Sequence, residues 1–139
     1  MSEKVERFRR RVAFSETDAS GRVHFTEVLK WAEDAEHQVL TRLGVLVSSD
    51  DFGWPRVKVE CDYRHPLAFG EEVEVVLSLR EIGKRSLRWS FQVRNQEGEL
   101  AAEGVMITVA VSSTGADEGE DEMPEATRVA LEGFLTEAS

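Results

Sequence analysis

The sequence predicts an α+β domain: an antiparallel sheet of about five strands wrapped around one long helix, with a short second helix at the C-terminus. Three observations predict it. Apolar residues recur at spacings of three and four from about residue 25 to 43 and again after Pro124. Between these stretches, and before the first, they alternate with polar residues at period two. The alternating runs are separated by short polar turns, which suit antiparallel hairpins; parallel strands need crossovers of a dozen residues or more.

The elements follow in order. Phe8, Val12 and Phe14 fall on one face of a first strand, with Arg9 and Arg11 on the other. Residues 15–21 are rich in turn formers and acids. Val28, Trp31, Ala32, Ala35, Val39, Leu40 and Leu43 then form the apolar stripe of a helix that Gly44 stops. Residues 45–55 read as a loop. Val57, Val59, Cys61 and Tyr63 alternate in the next strand, which places Cys61 inward as a core thiol. A turn spans residues 65–70. Val73, Val75, Leu77 and Leu79 alternate, then Gly83-Lys84-Arg85 breaks the run. Leu87, Trp89, Phe91 and Val93 alternate up to a turn at residues 95–98, and a last strand covers about 100–111. Pro124 opens a C-terminal helix whose apolar residues are Val129, Leu131, Phe134 and Leu135. The expected organisation is one domain over residues 1–111, an acidic linker over 112–123 and a helical segment over 124–139.

Bulk properties exclude several functions. The chain has 139 residues, enough for one domain with its own core. Its formal net charge of −10 argues against nonspecific nucleic-acid binding, which needs a basic surface. No apolar run approaches the roughly 20 residues of a membrane span. The N-terminus lacks the apolar stretch of a signal peptide, so the expected compartment is the cytoplasm. Cys61 is the single cysteine, which rules out an intrachain disulfide. No Cys/His spacing suits zinc, so no metal and no cofactor is expected. Neither a phosphate-cradling glycine loop nor a nucleophile-elbow serine occurs.

The chemistry-bearing residues cluster before the long helix. Asp18 lies in the loop Thr17-Asp18-Ala19-Ser20-Gly21, a few residues ahead of the helix start. Such an Asp is either a turn or capping residue or a carboxylate set beside free N–H groups, where it can act as a base or a nucleophile. His24 reads as a surface or half-buried residue, Glu33 as a solvated or interface residue, and His37 as plain helix surface. His65, before Pro66, is a turn residue or a pocket lining. Lys84 and Arg85, flanked by Gly83 and Ser86, make the best local cationic patch and could hold phosphates; the plainer reading is a charged hairpin turn.

Three stretches carry a family resemblance: Phe14 to Phe25, with its Asp, Gly and Val; Asp62 to Val73, with its Tyr, Pro and Gly; and Ile82 to Leu87 followed by Asn95 to Gly104. Together they cover about residues 7–111. They resemble the hotdog fold, and within it the 4-hydroxybenzoyl-CoA thioesterase family. The resemblance implies an acyl-CoA thioesterase acting on an aryl- or fatty-acyl-CoA. Asp18 would be catalytic, and the backbone N–H of Phe25 would polarise the thioester carbonyl. Gly21 would allow close approach of the substrate. His24, His65, Lys84, Arg85 and Ser86 would contact the substrate, with the 84–86 turn near the CoA phosphates. Some relatives carry His where Phe25 stands; this chain has it one place earlier, so a His-assisted variant does not transfer. The resemblance also implies edge-to-edge pairing of sheets in a homodimer or homotetramer with active sites between subunits. A hydratase or dehydratase acting on acyl thioesters, with His24 as its histidine, is the alternative enzyme. A non-catalytic acyl-CoA-binding module is the alternative binder.

Overall fold

The computed structural model describes residues 4–45, 52–112 and 123–135. The expected 112–123 linker therefore lies almost wholly outside the described residues, as do the last four residues of the chain. In order, the elements are β1 (Glu6–Arg11), a 3₁₀ turn (Phe14–Glu16), α1 (Phe25–Arg42), β2 (Phe52–Gly53), β3 (Arg56–Tyr63), β4 (Glu72–Ile82), β5 (Ser86–Arg94), β6 (Leu100–Val109), β7 (Val111–Ser112) and α2 (Glu125–Glu132). Five strands form one antiparallel sheet in the order β1-β4-β5-β6-β3. β2 and β7 make a separate two-residue pair.

The expected α+β wrap is observed. Val28, Trp31, Ala32, Ala35, Val39 and Leu40 of α1 are buried, and they pack on the inward residues of β4 and β5. Leu77, Leu79, Leu87, Trp89 and Phe91 are the largest of those. At roughly 1.5 Å per residue α1 is about 27 Å long, whereas β4 alone runs about 35 Å at its 3.3 Å rise. The sheet therefore overhangs the helix, and α2 covers part of the overhang. Leu131 of α2 and Phe134 just beyond it are buried, Leu135 bridges to Leu79, and Phe134 lies 6.4 Å from the Trp89 ring. No helix among the described residues is long and apolar enough to cross a membrane.

Four expectations need correction. β1 ends at Arg11, and Phe14 falls in the 3₁₀ turn, 73% exposed against Phe69 rather than on a core face. The residues of β3 expected to face the core are largely bare: Val57 is 59% exposed, Val59 39% and Tyr63 47%. The reason is topological, since β3 is the sheet edge and only one side of it is flanked. Cys61 is accordingly half-buried, though it still packs on the core and burial pushes its thiol pKa up. In α2, Val129 points to solvent and Ala130 takes the inward place.

A bulge in β3 has the largest consequence. Arg56 pairs with Thr108 and Lys58 with Ile107, so Val57 is an extra residue. The extra residue reverses the alternation and turns Arg56 inward. There its guanidinium meets Glu36 at 2.9 Å and Glu33 at 3.1 Å. The Glu36 side chain is almost wholly buried. Burial raises its pKa, and the opposing pull of Arg56 does not cancel that.

Candidate active site

The first turn of α1 is assembled from both sheet edges. His24 is its N-cap, in extended conformation, with Nδ1 accepting the Thr26 N–H at 3.3 Å and lying 2.7 Å from Thr26 Oγ1. Its ring stacks on Phe25 with centroids 4.8 Å apart. Phe25 opens the helix, where N–H groups have no partner four residues back. Its N–H has no acceptor among the described residues. The Tyr63 hydroxyl donates to the Phe25 carbonyl at 2.8 Å, which ties the β3 edge to the helix start.

Asp18 stands on a small hairpin leading into that turn. Thr17 and Val23 bridge across it, the Asp18 N–H donates to Arg22 O at 2.7 Å, and Gly21 closes the loop by donating to Asp18 O at 3.0 Å. Gly21 has φ +82°, a conformation that L side chains adopt only with strain. The Asp18 carboxylate is exposed; its Oδ1 accepts the Ser20 hydroxyl at 2.5 Å and the Ser20 N–H at 2.8 Å. Those two bonds hold its pKa below the usual aspartate value, and His24 is close enough to add a small pull. The turn role and the ionised-carboxylate role thus coexist in one residue. Arg22, whose carbonyl accepts the Asp18 N–H, is three residues before Phe25, so the loop that bears Asp18 leads directly into the helix start.

Glu16 holds this loop in place, a role the sequence did not reveal. Its carboxylate accepts the Ala13 N–H at 2.8 Å, the Trp31 indole N–H at 2.8 Å and the Arg10 guanidinium. Arg10 lies over the Trp31 ring at 4.7 Å, and the Glu16 carbonyl takes the His24 N–H at 2.9 Å. Burial pushes the Glu16 pKa up, but the hydrogen bonds from Ala13 and Trp31 and the Arg10 charge outweigh it, and the net shift is down. Three donors from a strand, a turn and a helix converge on one acid. The only sequence signal was an acid inside an otherwise turn-forming run.

The second sequence stretch joins the first. Arg22 bridges to Ala68, and the Val23 N–H donates to Leu67 O at 2.8 Å. His65 is at the same end of the sheet, but its Nε2 turns to Glu99 at 3.9 Å instead of to Asp18. Lys84, Arg85 and Ser86 are elsewhere. β4 carries the chain from the Asp18 end at Glu72 to the far end at Ile82, so within one chain the 84–86 turn and Asp18 stand at opposite ends of the sheet.

Chemically, the helix start offers a free N–H in the positive field of a helix N-terminus, a place suited to a developing oxyanion. Asp18 offers an ionised carboxylate and Gly21 an open backbone. A groove of about 620 Å³ exists between β1 and α1, lined by Phe8, Asp34, His37, Gln38, Thr41 and Arg42, and it contains none of these groups. The Phe25 ring is itself exposed and lies edge-on to Tyr63 with centroids 6.4 Å apart, and Val57 and Val59 of the same strand as Tyr63 are also exposed. No cluster of three or more His, Cys, Asp or Glu among the described residues could hold a metal ion.

The sequence profile of the thioesterase superfamily matches residues 20–102. A 1,4-dihydroxy-2-naphthoyl-CoA hydrolase of Prochlorococcus marinus is 29% identical over 102 residues, which span 64% of this chain and 66% of that relative. The solved structure of a gentisyl-coenzyme A thioesterase superposes with a TM-score of 0.77 at 29% identity, covering 90% of this chain and 98% of that one. The crystal structure of a 1,4-dihydroxy-2-naphthoyl-CoA thioesterase from Synechocystis has the same fold, with a TM-score of 0.82 at 20% identity over 91% of this chain and 95% of that one.

Proposed function

We propose that this chain, which belongs to the thioesterase superfamily, is an acyl-CoA thioesterase whose chemistry is centred on Asp18 and the start of α1. The observation that carries this reading is the Phe25 N–H at the helix N-terminus, which has no acceptor among the described residues, preceded by the hairpin at residues 17–23 that bears the ionised carboxylate of Asp18. The Phe25 N–H polarises the thioester carbonyl and holds the oxyanion as it forms. Asp18 either takes a proton from an attacking water or attacks the carbonyl carbon itself. The carbon–sulfur bond then breaks and CoA leaves as its thiolate, protonated by Asp18 on the base route or by solvent on the nucleophilic one; on the latter, water then hydrolyses the acyl-aspartyl anhydride to the acid and regenerates the carboxylate. A pKa held low weakens Asp18 as a base and keeps it ionised as a nucleophile. Single turnover in ¹⁸O-water tests the nucleophilic route: label recovered in Asp18 marks an acyl-aspartyl intermediate opened by water at the Asp18 carbonyl.

The relatives' names bring aromatic acyl-CoA esters forward as substrates, and the aromatic strip of Phe25 and Tyr63 suits a flat acyl group. The same strip supports a second copy of the chain. β3 is an edge strand with exposed apolar residues, which sheets do not leave uncovered without reason. Pairing β3 antiparallel with its copy lays the partner's far sheet end along this chain's near end. That end carries the 84–86 turn. The subunits would then complete each other: one supplies Asp18 and the Phe25 N–H, the other Lys84, Arg85 and Ser86 for the CoA phosphates. His24 is committed to Thr26, which weighs against a hydratase that needs it as an acid or base.

The test is thiol release across a panel of acyl-CoA esters that begins with hydroxyaromatic ones. Asp18→Asn should fold normally and lose about 100-fold or more in kcat. Full activity in that variant would sink the assignment, and a monomer by light scattering would sink the composite site.

A further inference from the structure

We infer that α2 is a clamp on the Lys84–Arg85 turn, with Arg128 as the residue that positions this turn for the nucleotide end of the CoA ester. The inference rests on the proposed phosphate role of Lys84 and Arg85. Three observations lead to it. First, the carbonyls of the turn are all held from outside it. Arg128 Nη2 donates to Gly83 O at 2.8 Å and to Lys84 O at 2.9 Å, the Met123 N–H donates to Lys84 O at 3.1 Å, and the Ala110 N–H to Arg85 O at 2.6 Å. A three-residue connection between strands as long as β4 and β5 does not need four such bonds to close. Second, neither the Lys84 nor the Arg85 side chain has a carboxylate partner among the described residues, in a chain with 27 acids against 17 Lys and Arg. The other arginines that reach carboxylates along β1 show how readily ion pairs form here. Third, Arg128 donates to neutral carbonyls and has no carboxylate partner among the described residues, so its positive charge adds to that of the turn.

The clamp also accounts for α2 itself. The superfamily match ends at residue 102, so α2 is outside it. Leu131 of α2 and Phe134 just after it are buried under the sheet overhang, and this anchors Arg128 at the turn. A rigid turn loses less freedom when its side chains take hold of phosphates.

The experiment measures kcat and KM on two substrates carrying the same acyl group, the CoA ester and its N-acetylcysteamine thioester, which lacks the nucleotide and its phosphates. Calorimetry with free CoA gives a binding constant that does not depend on turnover. Arg128→Ala should raise KM for the CoA ester and weaken CoA binding about tenfold, the scale of one lost charge contact, while kcat stays within about twofold. KM for the short thioester should not move. Lys84→Ala/Arg85→Ala should give the same pattern, and adding Arg128→Ala to it should cost little more. Arg128→Lys, which keeps the charge and one donor, should recover part of the loss and carries the test if the alanine variant does not fold. Unchanged KM and CoA binding in Arg128→Ala, with a clear loss in Lys84→Ala/Arg85→Ala, would overturn the clamp and leave the phosphate role standing. Equal KM rises on both substrates would also overturn it, as a general defect. No effect of Lys84→Ala/Arg85→Ala would instead remove the phosphate reading, and the clamp with it.

Discussion

Replacing Arg56 with Met withdraws the cation from a carboxylate that water barely reaches. The Glu36 side chain is 1% exposed, and its oxygens lie 2.9 and 3.5 Å from the Arg56 guanidinium. Beyond Arg56, the His37 ring lies 4.0 Å away, and Glu33 adds a like charge. Breaking a buried pair from one side costs about 3–5 kcal/mol. Arg56 is one-fifth exposed, so some water can enter the space it leaves, and the low end, about 3 kcal/mol, is expected. Unfolding entropy of about 2.1 cal/mol/K per residue amounts to about 0.3 kcal/mol/K for this chain, so Tm should fall by about 10 °C. The pH dependence identifies the cause. Glu36 has a folded pKa raised above its ordinary value, so its ionisation costs stability as pH rises through that folded pKa. Losing Arg56 raises the folded pKa further. The deficit of Arg56→Met should therefore be largest near neutral pH and shrink on acidification, as Glu36 takes up a proton. Arg56→Met/Glu36→Leu should recover most of the loss, because two apolar groups replace the pair. Urea unfolding at about pH 7 and about pH 5 reads both effects. A single-variant loss under about 1 kcal/mol, or the same loss at both pH values, would refute the reasoning.

Further outcomes are expected elsewhere. Gly104→Ala should destabilise by about 1–3 kcal/mol or more in chemical denaturation, since its Cβ would fall 2.0 Å from Glu60 O and 2.6 Å from the Phe91 ring; an unchanged midpoint would contradict this packing. Glu16 has a folded pKa below its ordinary value, so its stabilisation is present above about the unfolded pKa and is lost as pH falls through the folded one. Glu16→Gln should therefore be less stable than the parent at neutral pH and lose less on acidification, which acid-unfolding curves followed by circular dichroism would register. Tyr63→Phe removes the bond to the Phe25 carbonyl and should cost about 0.5–1.5 kcal/mol while lowering kcat/KM more than stability, because the oxyanion end of α1 loses its tie to β3; parent-like turnover would argue that the tie is only structural.

The sequence by itself determined what depends on local spacing. The apolar stripe from Val28 to Leu40 needs no partner to declare a helix, and Gly44, at φ +78°, ends it where expected. The alternation in β4 and β5 stated their inward faces, since a strand flanked on both sides buries one whole face. Asp18, Gly21 and Phe25 fell within ten residues of each other, so their common neighbourhood was legible without a fold. What the tertiary structure decided depends on who flanks whom. Val57, Val59 and Tyr63 alternate as well as any core strand, yet β3 is an edge and its face is bare. One bulged residue reversed Arg56 from the surface to Glu36, and a pattern of period two cannot contain an extra residue. Glu16 looked like one acid among several until Ala13, Arg10 and Trp31 converged on it from three elements. Lys84 and Arg85 read as companions of Asp18, but sequence distance carries no direction in space, and β4 takes them to the opposite end of the sheet.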